Sequence, residues 1–444
     1  MHASGKVLEN KAFDEKIFKK YQHAKVSVLS TIRPDIRCLI KNKAEFFNGD
    51  ITHPTFTYKK NTRYNYDASE ALLHELVQDI KGDTDVPHTI KDQYYLVIEE
   101  KLTKINLLRQ TQALALTKDE EQPMQLFLKY SEQLYGTVHP EIFLKVIQTV
   151  ERDILRKVHS PKFNAVQTPS FERLTALFLN YKTCNPGYTS LQVTPKIIIP
   201  KAPAITEAGE LKVIFEKGLV DYGITDMWSV VIDSKGTRST VSVSYDLHKI
   251  YLPSTEQLVK RSKRKRLTQA RVSGLIAHEI GTHVVRKING EESLLKLLSV
   301  GLCKYEQGEE GLATFREQQA QSLQGYSGLE AYLAIGLAMG SDGAPARDFS
   351  QVHAILTDYF LIVENTTMIQ AKELAWNRCV RIFRGTSGKV PGVVFTKDLL
   401  YRHGNINHWN AVKNNALPNI NLDCGKFDPT NQEQVHFLQS IGVR

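Results

Sequence analysis

The stretch RVSGLIAHEIGTHVVRKING, residues 271–290, decides how this chain is read. Leu275, Ile276, Val284, Val285 and Ile288 recur at helical spacing, which predicts a mostly buried helix, and Asn289-Gly290 is a stop signal at its end. Polar side chains in such a helix need a reason. Three lie together here: His278, Glu279 and His283.

Two imidazoles with a carboxylate beside the first follow the logic of the HExxH zinc peptidases. There, histidines one turn apart bind the metal and the Glu activates water. In this chain the histidines are five residues apart rather than four. Five steps of a regular helix rotate roughly 500°, leaving the rings about 140° apart in direction, so they cannot share one ion. A π-bulge, one inserted residue, brings i and i+5 together. Gly281 and Thr282 lie in the interval, and Gly relaxes the backbone limits there. The metal reading therefore predicts a helix distorted between Ile280 and His283. The bland alternative is two separate histidines, each hydrogen-bonded near a core.

Catalytic zinc usually takes a third protein ligand and keeps one open position. Downstream, GLCKYEQGEEGLATFREQ, residues 301–318, offers Glu306, Glu309 and Glu310 at the start of a predicted helix. Glu310 sits directly before the apolar face, yet spacing alone does not choose between it and Glu309. An acid at a helix start is also favoured by the helix dipole without any metal.

Outward from this cluster, the first 185 or so residues read as helical. SEALLHELVQDI, residues 69–80, has apolar positions at helical spacing with Ser69 as the expected N-cap. Further helices are expected over about 90–110, from Pro123 to Gly136, over 140–158 and over 169–181. TCNPGYTS, residues 183–190, is rich in turn formers and marks the boundary between a helical region, 1–185, and a second unit, 186–444. In that unit VTPKIIIP, residues 193–200, reads as a strand, and 206–217 as a helix ended by Gly218. WSVVIDS, RSTVSVSYDL and HKIYLP, between residues 228 and 253, read as short strands. The fold class is therefore α+β: a helical N-terminal region, then a domain with a small sheet and an active-site helix. No Gly-rich phosphate loop occurs at a strand-to-helix junction, which argues against a nucleotide-binding enzyme.

The 444 residues are 42% hydrophobic and carry a formal charge of +9, which excludes a disordered or fibrous chain and favours acidic partners. No run reaches the ~18 apolar residues of a membrane span. Residues 1–20 have scattered charges and no apolar core, so a secretory signal is not expected. Cysteines 38, 184, 303, 379 and 424 are dispersed and form no CxxC, which points to reduced thiols and a cytoplasmic location. KRSKRKR, residues 260–266, precedes the histidine stretch. Its positive charge opposes the dipole of the helix that follows, so it reads either as a solvated loop or as a guide for an acidic peptide tail. No aromatic interleaving or helix-turn-helix pattern accompanies it, so nucleic-acid recognition is not supported.

HEIGTH, residues 278–283, followed by EEGLA, residues 309–313, resembles the family described by its QEGLA motif, which includes the microtubule-associated tyrosine carboxypeptidases. RIFRG, residues 381–385, and FTKDLLYRHG, residues 395–404, resemble segments of the same family, and the likeness spans about residues 190–405. It implies a gluzincin-like zinc metallopeptidase with His278, His283 and Glu310 as ligands and Glu279 as general base. The implied reaction is carboxypeptidase-type cleavage near a polypeptide C-terminus by Glu-assisted attack of zinc-bound water. The animal members remove the C-terminal tyrosine of α-tubulin. Glu309 stands where the motif name has Gln.

A carboxypeptidase also needs a cation for the terminal carboxylate, preferably Arg. Arg384 and Lys397 lie in the resembling segments and are the candidates. Tyr401 or Tyr245 is expected to hydrogen-bond the oxyanion. His403 and His408, in YRHGNINH, repeat the five-residue spacing, but the Gly and Asn between them predict a loop and not a ligand pair. The rival to the enzyme is a non-catalytic regulatory or binding protein on the same scaffold. Glu279 favours the enzyme, because a scaffold has no use for a base.

Overall fold

The computed structural model describes residues 12–58, 65–114, 116, 120–192, 202–236, 238–262 and 266–443. Helices Glu121–Tyr135 and Pro140–Val158 form close to where Pro and Gly placed them. The helix expected from Ser69 begins earlier, at Tyr66, because Asn65 caps it by accepting from the Ala68 amide at 3.1 Å. His88–Ala113 and Thr168–Cys184 overrun their expected ends by a turn or less. The strand predicted at residues 193–200 falls outside the described residues.

Three apolar cores hold the chain together. One joins the early helices to later segments: Tyr94 and Phe127 pack with Leu297, Leu298, Phe395 and Phe427. A second joins Phe143 and Phe178 to Tyr332, Phe349 and Trp376. Fully burying side chains of this size contributes about 1.5–3 kcal/mol each, so the N-terminal helices brace the later half through many such contacts.

The third core lies beneath the sheet. Strands β1 (Ser229–Ile232), β2 (Ser242–Ser244) and β3 (Lys249–Leu252) order as β1-β3-β2, with β1 parallel and β2 antiparallel to β3. Their inward residues Val230, Ile250 and Leu252 meet Leu211 and Phe215 of helix Ala208–Asp221, and Val272, Ile280 and Val284 of the histidine helix, residues 269–292. Gly218 does not end the first of these helices; it lies inside it, packed against Ile276 and Ile280. The histidine helix likewise runs past Asn289-Gly290 to Glu292.

YRHGNINH is helix, not loop. Leu399–Lys413 is continuous, and Gly404 is there for close packing: a Cβ on it would fall 2.0 Å from the carbonyl oxygen of Gln307. Across the contact Gly311 has the same role, its Cβ position lying 2.5 Å from the Gly404 carbonyl. The glycine pair lets this helix press against the acidic helix Glu306–Ala320 and carries Tyr401 toward Glu310.

Candidate metal and active site

The histidine helix changes form at its polar cluster. Gln269–His278 is α-helical, Glu279–Val284 is a π-turn, and Val285–Glu292 returns to α. Three neighbours explain why the turn widens here. Thr282 Oγ1 donates to the Ala277 carbonyl at 3.0 Å, and Arg316 Nη1 donates to the Gly281 carbonyl at 2.7 Å. Both satisfy carbonyls where regular i→i+4 pairing is interrupted. Gly281 itself has no room for a side chain, since a Cβ would lie 2.2 Å from Tyr222 Oη.

The consequence is geometric. The rings of His278 and His283, which a regular helix would point apart, lie with centroids 5.0 Å apart at an interplanar angle of 75°. Glu310 Oε2 is 3.8 Å from Nε2 of each. The three donors all fall within 4.8 Å of one another and are able to hold a metal ion. His283 is buried while His278 and Glu310 are half-buried, so the cluster retains access from solvent. Of the two acids that spacing left open, Glu310 is the one facing both rings.

Each imidazole has a carboxylate behind it. His278 Nδ1 lies 3.1 Å from Glu317 Oε2, and His283 Nδ1 lies 2.9 Å from Glu309 Oε1. An ionised carboxylate only accepts, so each Nδ1 carries a proton, and in a neutral ring Nε2 is the atom left with a lone pair on the Glu310 side. Burial would lower the pKa of His278, but Glu317, Glu279 and Glu310 together raise it to about 9. Four carboxylates thus crowd two rings, an arrangement that attracts a cation. Burial opposes charge on Glu309, yet Lys426 at 3.2 Å and the contacting Arg286 drive its pKa well below the usual range.

Glu279 is adjacent but does not join the donor set. Burial raises its pKa, with the two imidazoles opposing, so its carboxylate is a stronger base than one in water. Tyr245, just after β2, accepts from Lys426 Nζ at 3.3 Å and feels Glu309, Glu279 and Glu310, so it faces the same space.

The cation candidates separate. Lys397 is committed elsewhere: it pairs with half-buried Glu306, which Lys104 approaches at 3.6 Å, and desolvation notwithstanding these lysines hold Glu306 down at about 2. Arg384 is linked to the cluster through Tyr401. It shares the carboxylate of Asp398 with Arg381, at 3.3 Å for Arg384, so two guanidinium groups have one acid between them. Tyr401 connects this pair to the donors, since Glu310 is the largest influence raising its pKa and Arg381 stacks 5.8 Å from its ring. His403 and His408 are buried structural residues: His403 Nε2 meets Tyr332 Oη at 2.9 Å, and His408 packs on Phe315. In the basic run Lys260 lies near the end of helix Thr255–Ser262, and residues 263–265 fall outside the described residues.

Sequence reasoning missed Glu317, Lys426, Arg381 and Asp398. A signal existed for Glu317, because it follows Glu310 by seven residues and so shares its helix face. Nothing local flagged Lys426, which reaches Glu309 from within the irregular segment between helices Leu399–Lys413 and Gln432–Ser440.

A protein-family profile described as microtubule-associated tyrosine carboxypeptidase matches residues 192–443. The chain belongs to the microtubule-associated tyrosine carboxypeptidase family. That match covers more than half of the chain and includes the three donors, Glu279 and the Arg381–Arg384 segment. No curated protein and no solved structure matches the chain significantly. Among the described residues no helix is long and apolar enough to cross a membrane. All five cysteines are unpaired thiols.

Proposed function

We propose that this member of the tyrosine carboxypeptidase family is a zinc-dependent, gluzincin-like peptidase that releases a residue from the C-terminus of a polypeptide. The observation that carries the reading is the convergence of His278 Nε2, His283 Nε2 and Glu310 Oε2 across a widened helical turn. The donor set suits zinc: a tetrahedral site with ligand atoms about 2.1 Å from its centre spans roughly 3.4 Å between ligands, close to the 3.8 Å from Glu310 to each ring. When bound, zinc would polarise the scissile carbonyl and acidify a water at its open position.

The remaining steps belong to side chains of the chain. Glu279 takes the proton of the attacking water and passes it to the leaving amine, a task suited to a carboxylate raised by burial. Tyr245 Oη and Tyr401 Oη are the hydrogen-bond donors available to the oxyanion, both being held protonated by their surroundings. Arg384, with Arg381, is the docking point for the terminal carboxylate. The pair has positive charge in excess of Asp398 and presents it beside Tyr401. The basic run at 260–266 favours a substrate with an acidic tail.

Incubation of the zinc-loaded chain with a peptide library tests the proposal. Release of single C-terminal residues, abolished in Glu279→Gln with zinc retained, supports it. Zinc retention with no residue released from any peptide points instead to a regulatory protein on a peptidase scaffold.

A further inference from the structure

Glu309 is one of the most enclosed acids in the chain, its side chain 4% exposed. Oε1 accepts from His283 Nδ1 at 2.9 Å and from Lys426 Nζ at 3.2 Å, while Oε2 takes Arg286 Nη1. Both cations are themselves buried, Arg286 completely and Lys426 with 5% of its side chain exposed. Each is fixed by a further contact: Arg286 Nη2 donates to the Phe427 carbonyl at 2.8 Å, and Lys426 Nζ to Tyr245 Oη at 3.3 Å. A buried ion cluster of this kind gives no general gain in stability, because desolvation offsets most of the attraction. Its position suggests another use. It sits directly behind one of the two rings that face Glu310.

We infer that Glu309, with Arg286 and Lys426 offsetting the cost of its burial, is a positioning residue that fixes the tautomer and orientation of His283 and strengthens Nε2 as a metal donor. Glu309 touches neither metal nor substrate and acts through His283. Glu317 stands in the same relation to His278 but is more exposed, and among the described residues no comparable pair of cations contacts it. The two supports are therefore unequal, and the His283 side is the rigid one. Arg286 lies in the histidine helix, Glu309 in the acidic helix and Lys426 in the C-terminal segment, so the unit also ties together three parts of the chain.

The inference rests on the zinc reading above, and the test keeps the two apart. Zinc affinity is measured on the full chain by competition with a chromophoric chelator, with the thermal midpoint of the metal-free protein measured alongside. Wild type that binds no zinc overturns both readings. If wild type binds, Glu309→Gln is expected to weaken zinc about tenfold to a hundredfold, the range found when such outer partners are lost. Glu309→Gln also leaves Arg286 and Lys426 underpaired, so its metal-free midpoint falls. Glu309→Gln/Lys426→Met removes one of the orphaned cations and is expected to recover part of that midpoint while leaving the zinc loss in place. Unchanged affinity in Glu309→Gln overturns the inference. So does affinity that returns in step with the midpoint in the double variant, since that marks a merely structural role.

Discussion

Arg316 reaches from the acidic helix to the carbonyl of Gly281, and Nη1 donates to it at 2.7 Å. The same guanidinium is held by Asp423 at 2.7 and 3.1 Å, so its donor is aimed before it meets the turn. A carbonyl inside a π-turn is thereby given a charged partner, and the turn that unites the two histidines is supported from a different helix. Arg316→Met is expected to lower stability by about 2 kcal/mol, the scale of a hydrogen bond to a charged group, and to weaken zinc binding as the turn relaxes. Denaturant unfolding and metal titration check this; a variant with wild-type zinc affinity would detach Arg316 from the turn.

The contact between Gly311 and Gly404 predicts a second sensitivity. A methyl group on Gly404 would lie 2.0 Å from the Gln307 carbonyl oxygen, an atom of backbone that cannot rotate away. Gly404→Ala should cost about 3 kcal/mol, the upper end of overpacking, and should push Tyr401 away from Glu310. Its unfolding midpoint, compared with Gly209→Ala at an open position of helix Ala208–Asp221, is the measurement.

Lys397 and Arg384 looked equivalent as carboxylate binders and should now behave differently. Lys397→Met leaves half-buried Glu306 with Lys104 alone, which costs about 1–3 kcal/mol and shows chiefly as lost stability. Arg384→Met leaves Asp398 with Arg381, so stability changes less, while KM for a peptide with a free C-terminal carboxylate rises about tenfold or more. Amidated peptide, which lacks that carboxylate, should not distinguish Arg384→Met from wild type.

Acid should unfold the protein through its buried histidines. Burial lowers His353 and His403 to about 4 and His408 to about 3, against about 6.5 in an unfolded chain. Below pH ~6.5 the unfolded chain therefore binds protons that the folded one refuses. Stability is fully present above that pH and is lost progressively as pH falls toward the folded values. Replacing His403 by Gln should flatten the slope by up to one proton, about 1.4 kcal/mol per pH unit between pH ~6 and ~4.5. Thermal midpoints across that range decide it.

Much of the site was legible because its chemistry is local. His278, Glu279 and His283 lie within six residues, and their awkward spacing forced a forecast of a distorted helix that Glu279–Val284 now displays. The strands near 228–253 and the helices marked by Pro and Gly were readable for the same reason, since period and punctuation act over short range. What escaped depends on distant partners. YRHGNINH was read as loop because Gly and Asn weaken a helix, but the neighbouring acidic helix demands a residue without a side chain at Gly404. Lys397 was read as a free cation because Glu306 and Lys104 lie far from it in sequence. Lys426 and Asp423 support the histidine helix from beyond residue 420, where no local pattern announces them.

Zinc content is the most direct test of the whole account. Full-length chain, loaded with zinc, passed over a desalting column and analysed for metal, should retain about one ion per chain, whereas His283→Ala and Glu310→Ala should retain almost none while staying folded. Wild type emerging without metal, or both variants keeping it in full, would contradict the proposal that these three side chains grip a single ion.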